Sequence, residues 1–312
     1  MSETTSTHPL ADIAPEPGVA KPDPLLVADH VRRRFGGLVA VDVEHLEIQR
    51  GIITALIGPN GAGKTTLFNL LTGFDQPDTG SFEFDGQRVR PGTGPHVMAR
   101  RGLVRTFQLT KALAKLTVLE NMKLAAPDQL GERFLPALVP PLWRAQERAN
   151  EERALELLGR YGMAHMRDEY AATLSGGQRK LLEMARALMV EPSLVMLDEP
   201  VAGVNPALTQ SILNHVTPLP DEGMTVLFVE HDMDVVMGIS DWVVCMAEGR
   251  IIAEGPPEAV GRNPAVIDAY LGTRRGEAAA TRGSAPPEAD DPERHDPDGT
   301  EDRETSEPED EA

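Results

Sequence analysis

Three short clusters in the chain have the residue types and spacing to handle phosphate. Gly58-Pro59-Asn60-Gly61-Ala62-Gly63-Lys64-Thr65 is a complete G-x-x-x-x-G-K-[ST] run. Its glycines free the backbone to turn its N–H groups toward an anion, Lys64 can reach the β- and γ-phosphates of a nucleotide, and the Thr65 hydroxyl can sit on Mg²⁺. The second cluster is Asp198-Glu199, two acids directly after the apolar run Leu194-Val195-Met196-Leu197. There Asp198 suits metal coordination, and Glu199 could polarise an attacking water. The third, Ser175-Gly176-Gly177-Gln178, opens a helical pattern with apolar Leu181, Leu182, Ala185, Leu188 and Met189, and so forms another anion-binding helix start.

The chemistry requires particular elements around these clusters. The run Ile52 to Ile57 reads as a buried strand feeding the glycine loop, and Thr66-Leu67-Phe68-Asn69-Leu70-Leu71-Thr72 reads as the helix that follows, stopped by Gly73. Strand, loop and helix therefore occur in the order a phosphate loop needs. Leu194–Leu197 reads as a second buried strand, whose acids would lie at the carboxyl edge where doubly wound sheets bind ligands. Taken alone, a strand ending in a solvated acidic turn would be the simpler reading; beside the glycine loop it is the weaker one. Two phosphate-binding helix starts, about 110 residues apart, imply either two ligands or one ligand shared with a second copy.

Composition bounds the rest. The chain has 312 residues, 41% apolar and 25% charged, as ordinary globular proteins do. With 49 acidic against 30 basic residues the net charge is −19, so a general electrostatic grip on nucleic acid or anionic lipid is excluded and any phosphate must be held locally. Aromatics at 4% argue against base stacking. The one cysteine, Cys245, cannot form an intrachain disulfide. Residues 273–312 carry 14 acidic and 5 basic side chains with almost nothing large and apolar, and are expected to be a disordered acidic tail. Residues 1–24, rich in proline, are expected to be a disordered extension, leaving a folded domain over 25–272. No signal peptide or transmembrane segment is legible.

Leu174–Gln178 matches the LSGGQ signature of ABC-type ATPases, and the other family elements follow in the family's order. The resemblance implies an α/β fold: an ABC-type P-loop ATPase with a RecA-like core, an N-terminal antiparallel β-subsheet and an inserted helical subdomain at about 109–190. It implies ATP and Mg²⁺ as cofactors. Phe35 matches the aromatic on which adenine stacks; a Phe packed in the core is the other reading, and exposure decides between them. Gly58 to Thr66 would hold the phosphates, Thr65 and Asp198 the metal. Gln108 matches the Q-loop glutamine, a ligand of Mg²⁺ and water that also senses the transmembrane partner. His231 matches the switch histidine that contacts the γ-phosphate, and Glu199 is placed as the catalytic base. Because ABC subunits pair head to tail, Ser175, Gly176, Gly177 and Gln178 would face ATP held by the other subunit.

Finer matches point to the branched-chain amino acid transporter ATPases of LivG type. They are Phe35-Gly36-Gly37-Leu38, Leu67 to Phe74, Arg105-Thr106-Phe107-Gln108, Glu230-His231-Asp232-Met233 and Val266 to Gly272. Asn205 stands in the D-loop where most ABC proteins have Asp, an exchange this group shares. The implied partners are two transmembrane permeases, a second ABC ATPase (self or LivF-like) and, indirectly, an extracytoplasmic solute-binding protein. The implied location is the cytoplasmic face of the membrane. ATPases of urea, short-chain amide and lipopolysaccharide systems are similar. A non-transport ABC ATPase is the remaining alternative, although such proteins usually carry a long coiled coil, zinc cysteines or a second cassette, none of which this sequence shows. Phe134 to Trp143, ten residues broken by three prolines, is too short to span a bilayer and reads as a packed linker or a membrane-side contact. Gln146–Gly159 reads as an amphipathic helix.

Overall fold

The computed structural model describes residues 8–106, 114–127, 129 and 140–271. Gln108, the stretch 134–139 and the acidic tail lie outside the described residues.

Among the described residues ten strands form two sheets. In the smaller, β1 (Pro24–Phe35), β2 (Leu38–Gln49), β4 (Thr79–Phe84) and β5 (Gln87–Val89) lie in the order β2-β1-β4-β5, all antiparallel. In the larger, β3 (Ile53–Ile57), β6 (Leu103–Arg105), β7 (Leu194–Asp198), β8 (Thr225–Val229), β9 (Trp242–Ala247) and β10 (Arg250–Gly255) run β10-β9-β3-β8-β7-β6. Only β10 is antiparallel to its neighbour.

The central strands are apolar throughout because both of their faces are covered, as parallel sheets require. Alternate residues sort into two cores. Ile53, Ala55, Ile57, Val195, Leu197, Val226, Phe228, Val243 and Cys245 face one side and pack with three helices, α3 (Val118–Leu124), α4 (Pro140–Arg160) and α5 (Gly176–Leu188). Leu56, Leu194, Met196, Leu227, Val229, Trp242, Val244 and Met246 face the other. They meet helix α1 (Lys64–Leu71) through Leu67, Phe68, Leu70 and Leu71, helix α2 (Pro95–Arg100) through Met98, and the antiparallel sheet.

Two expectations change. Residues 8–23, read as disordered from their prolines, are placed against the domain: Leu10 is buried in the second core, with Ile13 and Val19 packed on it. Lys21 is fully buried, its Nζ 3.1 Å from Glu254 Oε2 and 5.4 Å from the Trp242 ring centroid. Glu254 also accepts from Val19 N at 2.8 Å and Trp242 Nε1 at 3.3 Å. A composition rule that counts prolines misses this tie because it depends on a single carboxylate more than 230 residues away. The amphipathic helix likewise begins earlier than Gln146, at Pro140 inside the proline-rich stretch, since proline lacks only an N–H that the first helical turn leaves unbonded anyway. Among the described residues no helix is long and apolar enough to cross a membrane.

Candidate functional site

Strand register aligns the chemistry. Leu56 of β3 pairs with Val229 of β8, and Val229 with Asp198 of β7. The glycine loop, Asp198-Glu199 and Glu230-His231 therefore all leave the carboxyl edge of three adjacent strands, where open α/β sheets hold ligands.

The loop is shaped by backbone packing. Gly58 has φ 146° and Gly63 φ 99°. A Cβ on Gly58 would lie 2.1 Å from the Met246 carbonyl oxygen, and one on Gly63 would lie 2.3 Å from that of Ala40, so neither position admits a side chain. Gly249 N donates to Ala62 O at 3.0 Å, and Gly58 N to the Tyr270 hydroxyl at 3.0 Å. Asn60, Gly61 and Thr65 are exposed, and Thr65 and Thr66 lie in the first turn of α1. Lys64 Nζ donates to the carbonyls of Gly58 at 2.6 Å and Pro59 at 3.0 Å. Burial lowers the pKa of Lys64, and the carboxylates of Glu199 and Asp198 oppose the shift.

Asp198 is gripped by Arg105, whose guanidinium donates to Asp198 Oδ2 at 2.5 Å and to Asn69 Oδ1 at 2.6 Å. Glu199 has φ 47°, a left-handed conformation uncommon for a residue with a Cβ, and its N–H bonds the Val229 carbonyl at 3.0 Å. Two further groups fix the turn that follows. Glu230, 1% exposed, accepts from Val201 N at 3.1 Å and from His231 N at 3.2 Å. Lys180 donates to the carbonyls of Glu199, Pro200 and Ala202. The His231 ring is 65% exposed, with Nδ1 3.8 Å from Glu230 Oε2, and so is accessible to a ligand.

Phe35 is 50% exposed at the end of β1, with the Arg33 guanidinium 4.8 Å over its ring. The core reading is thereby rejected. At the third cluster Ser175 caps α5 in a reciprocal box: its Oγ accepts from Gln178 N at 3.3 Å and Gln178 Oε1 accepts from Ser175 N at 2.8 Å. Ser175 and Gly176 are exposed, whereas Gly177 is buried, and a Cβ there would fall 1.7 Å from Leu208 Cδ2. Among the described residues no hydrogen bond joins this turn to the glycine loop of the same chain. Asn205 acts locally, its side chain accepting from Leu208 N at 2.9 Å and capping helix α6 (Pro206–Val216).

Sequence reasoning missed Arg105, Lys180, Glu230 and Tyr270. Arg105, Glu230 and Tyr270 lie inside quoted motifs, and for the first two a charge that no pattern explains was the available signal. For Lys180 and Tyr270 no local signal exists.

A family described as "ABC transporter" matches residues 41–202, and one described as "Branched-chain amino acid ATP-binding cassette transporter" matches 250–275. The Archaeoglobus fulgidus probable branched-chain amino acid transport ATP-binding protein LivG is 41% identical over 253 residues, 81% of this chain and 97% of its own. The Pseudomonas aeruginosa high-affinity branched-chain amino acid transport ATP-binding protein BraF is 42% identical over 251 residues, 80% and 98%. The chain belongs to the LivG/BraF family of branched-chain amino acid ABC transporter ATP-binding proteins. In structure it resembles the ADP conformation of MJ1267, an ATP-binding cassette of an ABC transporter, with TM-score 0.68 and 36% identity over 80% of this chain and 99% of that one. The ABC cassette fold expected from the sequence is borne out, with its antiparallel subsheet and parallel core. All three clusters, 58–65, 175–178 and 198–199, lie within the residues matched by the ABC transporter family.

Proposed function

We propose that this subunit binds ATP with Mg²⁺, hydrolyses it in a head-to-tail pair of ATPase subunits, and thereby energises import of branched-chain or related amino acids. The convergence of Lys64, Asp198, Glu199 and His231 on one sheet edge carries the reading. Oxygen donors of the kind Mg²⁺ favours are present in the Thr65 hydroxyl and the Asp198 carboxylate, and Gln108 would join them by family resemblance. Bound there, Mg²⁺ would neutralise charge developing on the phosphates.

The chain's own groups supply the rest. Lys64 exchanges the loop carbonyls for the β- and γ-phosphates, and α1 directs its unbonded N–H groups to them. Phe35 stacks on adenine. Glu199 orients the attacking water, and His231 contacts the γ-phosphate. The exposed cap of α5 binds the nucleotide of the opposite subunit through Ser175 and Gly177, in keeping with its lack of a bond to its own loop among the described residues. ATP closes the pair by binding the closed state more tightly, and hydrolysis releases it. Two membrane permeases turn that cycle into transport, supplied by a solute-binding protein outside the membrane, and the second ATPase is either this chain or a LivF-like relative.

Glu199→Gln is the test. Turnover should fall by roughly 10²- to 10⁴-fold while ATP binding persists, leaving a trapped closed dimer. Affinity purification of this variant from native membranes should recover two multi-span permeases and a sister ATPase. Normal turnover would remove Glu199 from its role, and recovery of ribosomes or repair proteins without permeases would overturn transport.

A further inference from the structure

The turn after Glu199 is held by an unusual donor. Lys180 lies one turn into the signature helix, on α5, and its ammonium meets three backbone carbonyls of a single tight turn: Glu199 at 3.2 Å, Pro200 at 3.1 Å and Ala202 at 2.6 Å. An ammonium has three N–H donors, and all three are used. The buried carboxylate of Glu230 takes the Val201 N–H. Cation and anion thus hold one four-residue turn, the first by three of its oxygens and the second by its one remaining residue's nitrogen. Burial pulls the Lys180 pKa down, and Glu230 leads the charges that oppose the shift.

The clamped segment begins with a strained residue. Glu199 sits at φ 47°, which an L-residue leaves readily unless its neighbours hold it. Its backbone N–H is fixed by Val229, and the carbonyl of the 199–200 peptide accepts both from Ala202 N at 3.2 Å, within the turn, and from Lys180, which supplies the side-chain hold on its orientation.

We propose that Lys180 is a positioning residue: it locks the peptide that aims the Glu199 carboxylate and ties that peptide rigidly to the signature helix, so that movement of the helix is felt at Glu199. The inference rests on Glu199 acting on water as proposed above. Since the same helix begins with the Ser175 cap that would meet the opposite nucleotide, Lys180 gives that cap a short route, one helical turn and one set of hydrogen bonds, to the acid of its own site.

The test uses the full-length chain in its transporter complex. Lys180→Met keeps the length of the side chain and removes the donors. Its kcat for ATP should fall at least tenfold, with KM and the affinity for a fluorescent ATP analogue within twofold of wild type. Lys180→Arg, which keeps charge and donors but offers them from a planar fork, should recover part of the loss. In a Glu199→Gln background, Lys180→Met should change the residual single-turnover rate by less than twofold, because it acts through a carboxylate already removed. Wild-type kcat in Lys180→Met, or losses that multiply in the double variant, would overturn the proposal. Should Lys180→Met fail to fold, Lys180→Gln carries the same kcat-against-KM comparison. If Glu199→Gln itself turns over normally, the reading of Glu199 has failed; if it is dead while Lys180→Met is normal, only the role of Lys180 has.

Discussion

The phosphate loop and the Glu199 turn leave the same edge of one sheet and face the same space, yet they are built in opposite ways. The loop gets its shape from what it lacks. Gly58 and Gly63 have no Cβ, and the carbonyls of Met246 and Ala40 occupy the room a Cβ would need. Its shape is therefore encoded within eight consecutive residues. The turn gets its shape from long side chains brought from elsewhere: Lys180 from α5, Glu230 from the end of β8, and Arg105 from β6 onto the neighbouring Asp198. A loop held by excluded volume is rigid before ligand arrives, whereas a turn held by ionic donors can be re-aimed when those donors move. One region suits binding and the other suits a reaction that must be switched.

The sharpest way to break the comparison is at the loop. Lys64→Ala should weaken MgATP binding by roughly 100-fold or more with only a small loss of thermal stability, because the free protein gives up just the ammonium's bonds to the Gly58 and Pro59 carbonyls and sheds the cost of its partial burial. Gly63→Ala should lose binding and stability together, since the Ala40 carbonyl that meets its Cβ is backbone and cannot turn aside. Nucleotide titration paired with a melting curve separates the two. If Gly63→Ala binds and melts like wild type, the loop is not shaped by exclusion.

At the signature the obstacle is softer. The Cβ of a Gly177→Ala variant meets the end of the Leu208 side chain, which can rotate, so the expected cost is about 1–3 kcal/mol of stability. Combining it with Leu208→Ala should return part of that cost. A double variant no better than additive in chemical denaturation would show that Gly177 is needed for something other than packing room.

The same contrast explains what could be read in advance. Strand, loop and helix around Gly58–Gly73 were legible because each signal was local: an apolar run, positive-φ glycines and a C-terminal stop, with the helix observed over Lys64–Leu71. The cap at Ser175 was legible for the same reason. Asp198 and Glu199 could be placed at a strand end, but nothing local showed that Arg105 holds one or that Lys180 and Glu230 hold the turn after the other. Asn205, which stands where most ABC proteins have Asp, proves to be an N-cap. Residues 8–23 failed as a reading for a related reason, because the Glu254 carboxylate that anchors Val19 and Lys21 is remote in sequence.

The loop also has a remote side-chain support, and it sets the limit of the comparison. Tyr270, in the last helical run at 264–271, accepts a hydrogen bond from Gly58 N at 3.0 Å, and burial raises its phenol to about 12. Tyr270→Phe leaves that amide without its acceptor, at an expected cost of about 1 kcal/mol near neutral pH. The pH dependence has a definite sign. An unfolded phenol ionises near 10 and the folded one only near 12, so the wild-type contribution is complete below about 10 and declines as pH rises through that interval. The Phe variant has no phenol to ionise. The stability gap between the two proteins should therefore narrow from about pH 9 toward about pH 11, to be read from denaturant midpoints at matched pH. A gap that stays constant would mean that the Tyr270 phenol is no more buried folded than unfolded, whereas a Phe variant as stable as wild type near neutral pH would mean that the ring supports the loop by packing alone and that the loop is as self-contained as its glycines suggest.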